Sequence, residues 1–424
     1  MNILFYIFIR ITKKYIYIIS IVMLTERIKI VLFCLLLIIL ILILYDNSSP
    51  VEPMINIKYS PTQWNRNNIC TSSIGNTLEK QFKKYNIGKD NINGKLHLPC
   101  DYNNPRNEIN NLPVVKDGKY FILNNPDILV AKDWLWRMIV RHYGYERAKF
   151  MLPNSYVLYL PNDMNRFNDE YNSQKIYIMK KNIQRQEGLK ITKDKNEIIN
   201  GHDAGYVIVQ ELLQNPYIIN GRKTNMRFYV LVICQDNQMA TYVYNDGFMY
   251  YTKVPFVPNT TDIDPNITTG YIDRQVYKEN PLTHDDLRKY LDSNTREISQ
   301  FEIDIRKQGF RISQVYFQRI YDLLKDVFMA FIGHVCSEGK LYNNITFQIF
   351  GVDIAVDDHL NPMVMEVNKG PDMGGKDERD LELKSNVIRD VLRLIGAVDD
   401  KMIVGKNKEN GFLRILEIDN GLLI

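Results

Sequence analysis

The chain has 424 residues, 45% of them hydrophobic, and a formal net charge of +4. That length supports two or three folded units with real cores. Three of the four net charges fall within residues 1–50 and the remainder is nearly neutral, so the sequence carries no basic stripe of the kind that binds nucleic acid.

Ile30–Tyr45 is uninterrupted apolar sequence, long enough with Ile28 and Lys29 to approach a bilayer span. No small-residue cleavage site follows it, only Asp46-Asn-Ser-Ser-Pro50, so an uncleaved transmembrane anchor is expected over about residues 28–45. Arg27 and Lys29 before the span and Asp46 after it favour a single-pass, type II membrane placement. A second apolar segment at 3–24 would reverse that orientation. The expected division is therefore an anchor over 1–49, an Asn-rich linker or tether over 50–118, a folded domain over 119–396 and a peripheral tail over 397–424. Of the cysteines, only Cys70 and Cys100 are expected to pair. Cys34 lies in the span, and Cys234 and Cys336 sit in apolar patterns. Asn47, Asn259, Asn266 and Asn344 begin N-x-S/T triplets.

In the folded part, Pro126 starts a helical pattern over Asp127–His142, and Ser155–Leu160 reads as a strand stopped by Pro161. Lys175–Lys180 reads as a short strand ending in a lysine. The polar loop Lys181-Asn-Ile-Gln-Arg185-Gln-Glu-Gly188-Leu follows it. A strand-end lysine beside such a loop can neutralise and cover phosphates. Tyr206–Leu213 is an apolar strand turning polar where it stops, which leaves Gln210 and Glu211 able to contact an adenine amino group or a ribose. Along Ile219–Cys234, Lys223, Asn225 and Arg227 alternate onto one face at the entry to a buried strand. They form either a polar wall facing one space or the charged shield of an edge strand. Thr283–Gln308 reads as one capped helix, and the stripe Val315, Tyr316, Ile320, Leu323, Val327, Phe328 and Phe331 reads as core.

Ile349–Val356 and Met363–Val367 flank the polar turn Asp357-Asp-His-Leu-Asn-Pro362, so a β-hairpin is expected. Asp353 breaks the apolar pattern of the first strand, while Glu366 and Asn368 share a face of the second. Three oxygen-bearing side chains inside apolar strands are costly without a cation and suit Mg²⁺ held together with a phosphate.

These residues resemble the tubulin-tyrosine ligase family of ATP-grasp amino-acid ligases. The most specific segments are Val209-Gln-Glu-Leu-Leu, Pro216 to Val232 with Lys223-Thr-Asn-Met-Arg227, Phe350-Gly-Val-Asp353, and Met365-Glu-Val-Asn-Lys-Gly-Pro371. The resemblance implies an α+β, ATP-grasp fold in which two units close on ATP. It implies that Lys180 holds phosphate, that Arg185 and Gly188 belong to a lid, and that Gln210, Glu211, Leu212 and Leu213 form the adenine hinge. Lys223 and Asn225 would line the nucleotide site. Asp353, Glu366 and Asn368 would bind Mg²⁺. Arg227 would stabilise the transferring phosphate or hold a substrate carboxylate. The implied chemistry joins an amino acid to a protein carboxylate, on tubulin or another acceptor, through an acyl phosphate. Three positions depart from the family pattern: Lys181 replaces a proline, Asn225 an aspartate and Tyr250 an arginine. A catalytically inactive nucleotide-binding protein of the same fold is the alternative, and a membrane-anchored glycosyltransferase rests on topology alone.

Overall fold

The computed structural model describes residues 57–423 apart from 68–69, 71–72, 101–104, 184–187, 237, 271, 337–338, 404–408 and 420–421. The strands in chain order are β1 (Trp64–Arg66), β2 (Leu96–Leu98), β3 (Lys119–Tyr120), β4 (Ser155–Val157), β5 (Tyr177–Lys180), β6 (Leu189–Thr192), β7 (Ile208–Glu211), β8 (Ile218–Ile219), β9 (Arg222–Gln235), β10 (Gln238–Thr252), β11 (Thr268–Thr269), β12 (Ile345–Val356), β13 (Pro362–Asn368), β14 (Phe412–Asp419) and β15 (Leu422–Leu423). They make a mixed α+β architecture with two sheets. The larger runs β1-β2-β3-β12-β9-β10-β14-β15, with β13 on β12, β11 on β10 and β8 on β9. The smaller runs β4-β7-β5-β6.

β9 and β12 carry the core because both read as near-continuous apolar sequence, which suits strands covered on both faces. Phe228, Val230, Val232, Phe350, Val352 and Ile354 are all buried. The helix Ile312–Met329 lays Tyr316, Ile320, Leu324, Val327 and Phe328 into the same cluster. The 3.6-residue spacing of that apolar stripe is what seats the helix on the sheet.

Several expectations change. Residues 57–118 contain β1, β2 and the helices Asn76–Lys84 and Pro105–Asn111. β1, β2 and β3 pair in parallel and extend the larger sheet. Residues 412–419 of the expected tail form β14, antiparallel to β10. The stretch 127–142 breaks at Ala131, whose extended backbone (φ −70°, ψ 127°) ends one helix and caps the next. The stretch 283–308 is two helices, His284–Asp292 and Gln300–Lys307, the second started by its own Ser299/Glu302 capping box. Pro161–Glu170 is a helix with proline at its first turn, where the missing N–H costs nothing. Cys234 and Cys336 are disulfide-bonded, as are Cys70 and Cys100. Cys234 thus pairs despite its apolar strand context, because its partner arrives from a segment 102 residues away.

The single-pass membrane placement also needs correcting. Among the described residues, no helix is long and apolar enough to cross a membrane. The segments 28–45 and 3–24, on which that expectation rested, lie outside the described residues.

Candidate functional site

One cavity lies between the two sheets. Its floor crosses five neighbouring strands of the larger sheet: Glu366 and Asn368 from β13, Asp353 from β12, Lys223, Asn225 and Arg227 from β9, Tyr250 from β10, and Thr268 and Thr269 from β11. Its roof comes from the smaller sheet, with Ile178 and Lys180 of β5, Leu189 of β6, and Gln210 and Glu211 of β7. The period of two in β9 puts residues 223, 225 and 227 on the cavity face together. The register then sets their neighbours: Arg227 stands opposite Asp353, Asp353 opposite Glu366, and Asn225 opposite Tyr250. A bulge between Asp353 and Ile354 gives β13 one extra residue, so that both Met365 and Glu366 reach the cavity.

Arg227 grips Asp353 with two bonds, Nε to Oδ1 at 2.5 Å and Nη2 to Oδ2 at 2.9 Å. The two side chains are only 13% and 14% exposed. Burial works against both charges. For Arg227 the facing carboxylate more than offsets it and holds the guanidinium protonated well above its ordinary range. Burial still pushes the Asp353 carboxyl upward, against the pull of Arg227. The cation that three buried oxygen groups require is thus supplied in part by a neighbouring strand. Two glycines make room for it. A Cβ at Gly247 would run into the Arg227 carbonyl oxygen, and one at Gly351 would sit 3.1 Å from the arginine's Cδ and Nη1. The glycine of Phe350-Gly-Val-Asp353 therefore lets Arg227 lie across β12.

Opposite this acidic corner stand two buried lysines with no carboxylate partner among the described residues. Lys180 is 7% exposed and Lys223 is 2% exposed. Lys223 Nζ donates to the Leu213 carbonyl at 3.1 Å. Burial pulls Lys180 down to about 8, with Glu366 opposing and Lys132 reinforcing the shift. Burial and the nearby Lys180 charge pull Lys223 down to about 7. Two desolvated ammonium groups aimed into one cavity favour a polyanion.

The remaining expected residues are placed as follows. Gln210, Glu211 and Leu212 line the cavity, but the side chains of the first two are already engaged. Gln210 Nε2 donates to Ser155 Oγ at 2.8 Å, and the Glu211 carboxylate accepts from Lys175 and Asn154. Leu213 lines the adjoining groove and reaches the site through the carbonyl that holds Lys223. Gly188 adopts φ +69° and lies off the cavity wall; its carbonyl accepts from Lys181 N. Arg185 lies outside the described residues.

Lys132 was not anticipated. Its Nζ is 3.3 Å from Glu366 Oε1 and 3.1 Å from the Ile183 carbonyl, so it links a carboxylate of the acidic corner to the loop after β5. Its only local mark is its place at the start of the helix Lys132–Tyr143. Asn266 and Ile267 join the wall in the same unforeseen way, through the pairing of β11 with β10.

A cavity with lysines on one wall and hard oxygen donors on the other is the equipment of a protein that handles metal-bound phosphate. The chain belongs to the tubulin-tyrosine ligase family, whose model matches residues 119–408. Similar proteins include a probable beta-tubulin polyglutamylase of Tetrahymena thermophila, 26% identical over 65% of this chain and 23% of the relative. Tubulin polyglutamylase TTLL6 of Mus musculus is 28% identical over 56% of this chain and 29% of the relative. Tubulin monoglutamylase TTLL4 of Mus musculus is 25% identical over 63% of this chain and 22% of the relative. The matched part thus spans about a quarter of the length of these relatives.

Proposed function

We propose that the chain is an ATP- and Mg²⁺-dependent ligase of the ATP-grasp type that joins an amino acid to a carboxylate of a protein acceptor. The observation that carries this reading is the pair of buried, carboxylate-free lysines, Lys180 and Lys223, facing Asp353, Glu366 and Asn368 across one cavity. The donor set fits the metal: two carboxylates and a carboxamide are hard oxygen ligands on adjoining strands. Asp353, Glu366 and Asn368 would hold Mg²⁺, which when bound neutralises phosphate charge.

In the reaction, an acceptor carboxylate attacks the γ-phosphorus of ATP, the bond to the β,γ-bridging oxygen breaks, and ADP leaves. The amine of the amino acid then attacks the acyl carbon, loses its proton, and expels phosphate to leave an amide. Lys180 and Lys223 bind and orient the phosphates. Arg227 uses Nε and Nη2 on Asp353, which points the rest of its guanidinium at the transferring group. Leu212 and the strand end at Gln210–Glu211 bound the adenine side. Arg185 and Gly188 belong to the loop that excludes water from the acyl phosphate.

The names of the relatives make glutamate the first amino acid to test and tubulin the first acceptor. The purified chain, given Mg²⁺, ATP and candidate pairs, is expected to release phosphate only when amino acid and acceptor are both present. ATP binding without turnover under any pairing would mark an inactive nucleotide-binding protein instead.

The lysines set a pH dependence. Each is depressed in the free protein and is raised by a polyanion, so binding takes up protons wherever the pH lies above the free values of about 7 and about 8. Affinity for ATP is expected to be fully developed below pH 7 and to weaken as pH rises through that window, by up to about tenfold per unit per lysine. Calorimetric titrations in two buffers of different ionisation enthalpy read the proton uptake directly. Zero uptake at pH 8.5 would contradict this charge balance.

A further inference from the structure

The end of the cavity away from Asp353 is built for a different chemistry. Asn266 is 2% exposed and lines this cavity. Its Nδ2 donates to the Thr260 carbonyl at 3.0 Å and to the Asp262 carbonyl at 2.9 Å. Turning the amide over would set its oxygen against two carbonyls, so these bonds fix the orientation. Oδ1 is left buried with no hydrogen-bond partner among the described residues. Asn225 Oδ1, in the same cavity, is buried and unpartnered as well. Buried acceptors are normally satisfied, and two orphans in one ligand cavity call for donors from the ligand.

Their place along the cavity says which part of the ligand. Asn225 stands two residues from Lys223, which is tied to the Leu213 carbonyl at the exit of β7. Ile267, next to Asn266, packs with Ile178, Ile191 and Leu212. Both carboxamides therefore sit toward the β7 end. The oxygen donors suited to a metal, Asp353 and Glu366, lie on the far side of β9.

We propose that Asn266, together with Asn225, is a specificity-determining residue that receives the ribose hydroxyls of the nucleotide, so that the site selects a ribonucleotide over its deoxy analogues. The inference rests on the nucleotide reading above. A nucleotide with its phosphates at the lysines and the acidic corner places its sugar, the part rich in O–H donors, against these two oxygens. Sites built to hydrogen-bond a substrate hydroxyl discriminate strongly against the analogue that lacks it, because a buried polar group is then left unpaired.

The test is equilibrium binding of ATP, 2′-deoxyATP and 3′-deoxyATP to the full chain in Mg²⁺. The wild-type protein is expected to bind ATP at least ten times more tightly than one of the two deoxy analogues. Asn266→Leu should weaken ATP to the level of that analogue while leaving the analogue's own affinity unchanged. Asn266→Asp keeps an acceptor oxygen and should retain the preference, although it too loses the bonds to Thr260 and Asp262. Loss of the preference in both variants would reduce Asn266 to a support for its loop and overturn the proposal. Equal wild-type affinity for all three nucleotides would overturn it without any variant, and would leave the ligase reading standing. A selectivity found only toward the amine of the amino acid would also overturn it. Absence of ATP binding altogether would bring down the nucleotide reading and this inference with it.

Discussion

Glu366→Gln is expected to lower amino-acid-dependent phosphate release by on the order of 10²- to 10³-fold, the range seen when one preorganised electrostatic contact to a transition state is removed. The substitution keeps the shape of the side chain and removes only its charge. Glu366 is 32% exposed and its ion pair with Lys132 spans 3.3 Å, so the structural loss is that of a partly solvated pair. Such pairs contribute about 0–1 kcal/mol. Thermal unfolding should therefore shift by no more than a few degrees while turnover collapses. Steady-state phosphate release at saturating Mg²⁺ checks this. Turnover within a few-fold of wild type would remove Glu366 from the metal set.

The largest effect on stability belongs to Arg227. Arg227→Gln leaves the Asp353 carboxylate buried beside Glu366 without its guanidinium, and removing one partner of a buried pair costs about 3–5 kcal/mol. The double variant Arg227→Gln/Asp353→Asn removes both charges and should recover a large part of that loss. Chemical denaturation of the two single variants and the double variant gives the coupling between them. A loss below 1 kcal/mol for Arg227→Gln would mean that water already screens the pair. Activity is expected to vanish in all three, so the stability cycle separates the structural role of the pair from its chemical one.

Much of the acidic corner was legible because strand parity is a local property. Asp353 interrupting an apolar run, Glu366 and Asn368 two apart after a polar turn, and residues 223, 225 and 227 on alternate positions all imply shared faces before any partner is known. The observed pairing of Asp353 with both Glu366 and Arg227 follows from that parity once the register is fixed. The counter-charge was not legible. The three oxygen groups read as waiting for a metal, whereas Arg227 and Lys132 already meet the two carboxylates. That meeting depends on Gly351 admitting Arg227 and on a helix start arriving from far away in the chain.

The less regular segments were misread for a related reason. Residues 57–118 show little periodicity because β1, β2 and β3 are two or three residues long and gain their order by joining a sheet whose centre lies elsewhere. The split at Ser293–Ile298 had a local signal, Ser299 three residues before Glu302, which the longer apolar pattern obscured. Asn266 carries no such signal. Its neighbouring hydroxyls echo only faintly the segment expected there, and its burial comes from the turn at Thr260–Asp262 folding back on it.

Binding of ATP to the lysine pair decides between a phosphate site and a merely charged crevice. Titration calorimetry of the wild-type chain and of Lys180→Met/Lys223→Met, each with and without Mg²⁺, reads it in one experiment. Neither lysine has a carboxylate partner to orphan, so the double variant should keep its fold. The expected result is Mg²⁺-enhanced binding to the wild type and at least a hundredfold weaker binding to the double variant, about 2.7 kcal/mol at two powers of ten. Unchanged affinity in a folded double variant would mean that the cavity between the two sheets is not where the nucleotide sits.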